Sequence, residues 1–166
     1  MIQPQIYILT APQGDGKTTR CLEIVNRLKS QRVSIGGIVA PGFWESNIRS
    51  GFELMDVQTN IRMPFAQREA KEGWINIKTF YFNPKAIENG ELFLRSAVRE
   101  NDWIVLDEIG KLDLQGFVWG PIFSELIKIQ NKNWLLCVRD TFVEEVIEHW
   151  QLKKVKVLQL TDGFIF

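Results

Sequence analysis

At 166 residues the chain is long enough for one domain, residues 1–166, with a full core, and a hydrophobic fraction of 45% excludes a disordered polymer. Its 20 Lys and Arg balance 20 Asp and Glu, so there is no basic excess of the kind an extended nucleic-acid surface carries. The longest apolar runs, such as Trp134-Leu135-Leu136-Cys137-Val138, are too short to span a membrane, and no leader precedes the first of them. A soluble, cytoplasmic protein is the expectation.

The first apolar run, Ile6-Tyr7-Ile8-Leu9, reads as a strand. Ala11-Pro12-Gln13-Gly14-Asp15-Gly16-Lys17-Thr18-Thr19 follows, and then Cys21, Ile24, Val25 and Leu28 recur at helical spacing. Strand, glycine-bearing loop, Gly-Lys-Thr and helix are the context of a phosphate-binding P-loop. Backbone N–H groups of such a loop form an anion nest, and the helix N-terminus adds its positive end. Lys17 would reach the outer phosphates of a nucleotide, and the Thr18 hydroxyl would sit on Mg²⁺. Ala11 stands where the motif usually has glycine.

Residues 33–40 read as a second strand, with Gly36-Gly37 marking a close backbone approach. Residues 43–82 then break the βα rhythm as a β-rich hairpin insertion. A hairpin is expected across 43–57 with its turn at Arg49-Ser50-Gly51, an edge or bulged strand at 62–66, and one further strand at 74–82. Such an insertion would wall the site or cap an open sheet edge. Asn83-Pro84 opens a helix that buries Ile87, Leu94, Ala97 and Val98, with Gly90 as a weak point or break. Trp103–Leu106 reads as a buried central strand, 121–130 as a helix facing inward through Ile122, Leu126 and Ile129, and Trp134–Val138 as the next strand. Thr141 and Glu144 form a capping box before a helix with Val146 and Trp150 inward, and 155–160 is the last strand. Strand–helix alternation at both ends predicts an α/β fold: three layers, α/β/α, around a mostly parallel sheet. Cys21 and Cys137 read as isolated core thiols, and His149 as a surface or packing residue.

Ligands of such sheets bind beyond the carboxyl ends of the strands. Asp107-Glu108 falls there, directly after Ile104-Val105-Leu106. Asp107 can orient a Mg²⁺-bound water. Glu108, on the opposite pleat, can orient or deprotonate the water that attacks a γ-phosphate. Arg139, at the end of the strand before it, either supplies transition-state charge or pairs with Asp140 or Glu108. Lys111 and Arg49 read as solvated turn residues.

The P-loop, Gly36-Gly37-Ile38, Arg49-Ser50-Gly51-Phe52 and above all Val105-Leu106-Asp107-Glu108-Ile109-Gly110-Lys111-Leu112-Asp113-Leu114 resemble the nucleoside-triphosphatases of the THEP1 type. The resemblance implies a P-loop fold of the additional-strand, RecA-like kind. It implies Mg²⁺-dependent hydrolysis of ATP, GTP or other nucleoside triphosphates with little base preference. Lys17 and Thr18 would be the phosphate and metal residues, Asp107 the metal acid and Glu108 the water-activating acid. The chain end, Leu160 to Phe166, lacks the Asn-Arg pair of that family. Two other readings of the same residues are a P-loop kinase for a small molecule and a nucleotide switch or adaptor with a protein partner.

Overall fold

The computed structural model describes residues 4–164, so the ends of the stretches read above as leaderless and as lacking Asn-Arg lie outside the described residues. Strand β1 (Ile6–Ala11) runs into the loop and helix α1 (Lys17–Ser30), followed by β2 (Ile35–Val39). The insertion supplies β3 (Gly42–Glu45), β4 (Ile48–Asp56), β5 (Arg62–Gln67), β6 (Ile75–Ile77) and β7 (Phe80–Phe82). The βα pattern resumes with α2 (Pro84–Glu100), β8 (Trp103–Ile109), α3 (Lys111–Leu114), α4 (Gly120–Leu126), β9 (Asn133–Arg139), α5 (Val143–His149) and β10 (Val155–Gln159).

All ten strands join one sheet, in the order β10-β1-β9-β8-β2-β4-β5-β7-β6, with β3 paired to β4. The five strands from β10 to β2 are parallel, and every pairing beyond β2 is antiparallel. Those five strands form the parallel sheet expected, and the insertion makes the whole sheet mixed. The antiparallel half is the insertion itself, which continues the sheet from the β2 edge. Strand β9 lies between β1 and β8, the additional strand that the family resemblance implies.

Two apolar layers flank the sheet. Cys21, Ile24, Val25 and Leu28 of α1 pack on Leu9, Val105 and Leu135. On the other face α2, α4 and α5 pack on Ile8, Ile104 and Leu136. Alternate residues of one strand thus serve opposite layers, as the period of two requires. Cys21 and Cys137 are buried and reduced, as expected, but they are not isolated: the two thiols lie against each other.

Several local expectations are corrected by long-range packing. The hairpin turn is Ser46-Asn47, both at positive φ (50° and 65°), and Arg49-Ser50-Gly51 lies within β4. Residues 74–82 are two short strands, because Lys78 at φ 58° turns the chain back. Gly90 does not break α2; a Cβ there would stand 2.3 Å from the Trp119 ring, so glycine admits the indole. Helix α4 ends at Leu126, leaving Ile129 exposed. Thr141 caps nothing through its side chain; a 3₁₀ turn, Asp140–Phe142, leads into α5 instead. Asn83 does cap α2, accepting from the Lys85 N–H at 3.1 Å.

Gly37 is the close approach expected in β2. It sits at φ 121° opposite Val105, and a Cβ there would stand 2.1 Å from the Val105 carbonyl oxygen. Both clash and strain oppose any side chain, and β8, the strand that would move, carries the acids. Gly37→Ala is expected to destabilise the protein by about 3 kcal/mol or more. A urea midpoint equal to wild type would contradict this.

Candidate active site

Register carries the P-loop, Arg139 and the acidic pair to one edge. Ala11, the last residue of β1, pairs with Arg139, the last of β9, and β9 in turn pairs with β8. Ala11 has ordinary extended backbone, which explains why alanine serves at the first motif position. The left-handed positions of the loop are Gly14 (φ 83°) and Gly16 (φ 96°), where glycines stand. Pro12, Gln13, Gly14, Asp15 and Gly16 are exposed, and the Asp15 N–H donates to the Pro12 carbonyl at 3.3 Å. Thr19 is exposed on the first turn of α1.

Lys17 is 5% exposed and its Nζ donates to the Ala11 and Pro12 carbonyls at 3.3 and 3.4 Å. These neutral partners hold the ammonium inside the loop, where its charge acts on Asp107 and Glu108 without a direct ion pair. The Thr18 hydroxyl donates to Asp107 Oδ2 at 2.8 Å, and the Ala40 N–H donates to the same oxygen at 3.0 Å. Asp107 Oδ1 is buried and accepts no hydrogen bond among the described residues. Burial pushes the Asp107 carboxyl up, opposed by those two hydrogen bonds and by Lys17. A buried acid with one free oxygen, bonded to the P-loop threonine, suits a divalent cation with oxygen ligands. Among the described residues no group of three or more His, Cys, Asp or Glu is arranged to hold a metal. A P-loop site needs no such group, because phosphate and water supply most ligands to Mg²⁺.

Glu108 departs from the simple pleat alternation. The β8–β9 register shifts between Leu106 and Ile109, and Glu108 adopts φ 63°. This bulge turns its side chain into a cavity of about 500 Å³ that it shares with Lys17, Gln13 and Arg139. Burial and the Asp107 charge hold the Glu108 carboxyl at about 7, while Lys17, Arg49 and Arg139 pull it down. Arg139 forms no ion pair with Asp140 or Glu108 among the described residues; its guanidinium lies 5.7 Å from the Phe142 ring centre. It is therefore free to meet a ligand.

Two residues gain importance that sequence reasoning did not give them. Arg49 is no solvated turn residue: Trp44 and Phe52 sandwich its guanidinium at 5.1 Å each, and its Nε is buried without a partner. Asp113 is buried and accepts from the Gly110 and Trp119 N–H groups at 2.9 Å each, fixing the chain after the acidic strand. Its position three residues after Gly110, an N-cap pattern, was the available signal. Lys111 is exposed as expected, but at the cavity rim.

Burial also holds Asp113 at about 7. Glu108 and Asp113 thus bind protons more tightly in the folded than in the unfolded chain. Their stabilising contribution is complete below the ordinary carboxylate range and is lost as pH rises through about 7. The unliganded protein is expected to melt roughly 5 °C higher at pH 6 than at pH 8. Calorimetry at constant ionic strength checks this, and a higher melting temperature at pH 8 would contradict it.

The parallel half of the sheet, with an added strand between the P-loop strand and the acidic strand, together with the Thr18–Asp107 contact, defines a P-loop nucleotide-binding protein. The family model described as NTPase matches residues 6–163, so the chain belongs to the NTPase family, of the THEP1 type. Nucleoside-triphosphatase THEP1 of Korarchaeum cryptofilum is 28% identical over 142 residues, 85% of this chain and 65% of the relative. That of Methanopyrus kandleri is 30% identical over 112 residues, 68% of this chain and 61% of the relative. The chain thus spans less than two thirds of the length of these two curated relatives. The crystal structure of THEP1 from the hyperthermophile Aquifex aeolicus shares the fold, with a TM-score of 0.72 and 22% identity over 95% of this chain and 90% of that one. No helix among the described residues is long and apolar enough to cross a membrane.

Proposed function

We propose that the protein hydrolyses nucleoside triphosphates, ATP and GTP among them, to the diphosphate and phosphate with Mg²⁺. The observation that carries this reading is the pair of acids at the end of β8: Asp107 bonded to Thr18, and Glu108 turned by the bulge into the space beside Lys17. The P-loop N–H groups and Lys17 take the phosphate chain. Thr18 and Asp107 hold the metal, which when bound offsets phosphate charge and polarises the γ-phosphoryl group.

Glu108 does the remaining chemistry. A water between it and the γ-phosphorus gives a proton to the carboxylate as its oxygen bonds to phosphorus, while the bond from phosphorus to the β,γ-bridging oxygen breaks and the nucleoside diphosphate leaves with that electron pair. Arg139, unpaired and on the neighbouring strand, offers its positive charge where equatorial oxygens gain negative charge. Arg49 adds a second cation, fixed by its aromatic sandwich rather than by an ion pair.

Phosphate release from ATP and GTP, with Mg²⁺ and with chelator, tests the proposal. Release from both with the metal and from neither with chelator is expected. Absence of release from every nucleoside triphosphate with Mg²⁺ would overturn it.

A further inference from the structure

The cavity beside Glu108 is larger than the γ-phosphate needs. A triphosphate cradled by residues 11–19 lays its inner phosphates along the loop and presents only its outer end at Lys17. It therefore fills the cavity at the Lys17–Glu108 end alone. The rest, within a total of about 500 Å³, extends between the insertion strands and the segment from Gly110 to Trp119. That volume lies within the range of small-molecule sites.

Its walls have a defined chemistry. Phe80 meets Phe52 at 5.7 Å and Phe82 at 6.4 Å between ring centres, and Phe82 packs on a buried pair, Phe65 and Trp119, stacked at 5.2 Å with 24° between planes. At the rim stand Arg68, Lys78 and Lys111, none in an ion pair among the described residues. Arg68 is preorganised: its guanidinium lies 5.2 Å from the Phe80 ring centre, and its Nε donates to the Arg49 carbonyl at 3.2 Å. The acids of the cavity do not neutralise this rim. Asp113 is engaged by two backbone N–H groups, and Glu108 faces Lys17 and Arg139. Aromatic walls under unpaired cations suit a flat ring that carries an anionic group.

We propose that this cavity binds a second small molecule, a nucleoside monophosphate, next to a triphosphate held by the P-loop. The base lies against Phe52 and Phe80, the half-buried rings of the lining, and the monophosphate meets Arg68, Lys78 and Lys111. The proposal rests on the nucleotide reading only in assigning the triphosphate to the P-loop; the cavity and its lining stand without it.

Calorimetric titration of the full chain with AMP, GMP, CMP and UMP tests it, with and without prior saturation by Mg²⁺ and the β,γ-imido analogue of ATP. One monophosphate molecule per chain is expected to bind the saturated protein. Lys78→Glu, at an exposed turn, and Phe80→Leu should each weaken that binding by about tenfold or more, and leave analogue affinity within about twofold. Failure of all four monophosphates to bind the saturated protein at up to about 5 mM would overturn the proposal. So would binding that both variants retain unchanged. Should the analogue itself not bind, the nucleotide reading fails, and the two variants still decide the cavity in the unsaturated titration.

Discussion

Glu108→Gln is expected to lower the rate of phosphate release by about 10²–10³-fold while leaving nucleotide affinity within about twofold. The side chain makes no hydrogen bond among the described residues, so the amide disturbs no structural partner. It keeps the shape and the bulge and removes only the ability to take a proton. The environment supports a base rather than a fixed charge: Asp107 and burial hold the carboxyl at about 7, against three nearby cations. Proton uptake requires the ionised form, so the wild-type rate should climb as pH rises through about 7, and the residual rate of the variant should not follow that profile. Equal rates for variant and wild type would remove Glu108 from the chemistry.

Lys17→Met is expected to lower kcat/KM by about 10²–10³-fold, through loss of both ground-state and transition-state contacts to phosphate. Its distinguishing feature is that stability is kept. In the unliganded protein the ammonium is buried against two carbonyls and has no acid partner at hydrogen-bond distance. Removing the buried ammonium relieves its desolvation and forfeits its attraction to Asp107 and Glu108, and the two together should leave stability close to wild type. Steady-state kinetics together with thermal melting separate this from simple unfolding. A variant that lost activity and melted well below wild type would assign Lys17 a structural role instead.

The contrast between the two halves of the sheet explains how much was legible from sequence. The stretch from Ile6 to Leu28 could be read because its determinants are local: an apolar run, glycines at the left-handed positions and helical spacing. The buried runs of β8 and β9 were legible for the same reason. The insertion was not, because its register is set by distant partners. Gly51 resembles a turn residue, yet it sits in β4 because a Cβ there would meet the Ala66 carbonyl oxygen at 2.3 Å. Gly90 reads as a defect in a helix because its reason, the Trp119 indole against it, lies far along the chain.

The site divides in the same way. Lys17, Thr18, Asp107 and Glu108 belong to short motifs whose chemistry is explicit, and the fold brings all four to one edge. The turn of Glu108 into the cavity was not legible, since it depends on a bulge against β9 rather than on alternation. Arg49 reads as solvated when it is placed at the hairpin turn; the true turn at Ser46-Asn47 moves it into β4, where the pairing with β3 puts Trp44 beside it. The aromatic lining of the cavity comes from β4, β5, β7 and the segment before α4, which no single stretch of sequence connects.

The central claim is that water, positioned by Glu108, attacks the γ-phosphorus. Its most direct test is a single-turnover reaction of ATP and Mg²⁺ with excess protein in ¹⁸O-enriched water, followed by mass spectrometry of the phosphate. Phosphate carrying one solvent-derived oxygen, formed at a rate that Glu108→Gln suppresses, is the predicted result. Phosphate formed at an undiminished rate by the variant, or no labelled phosphate from the wild type, would contradict the account.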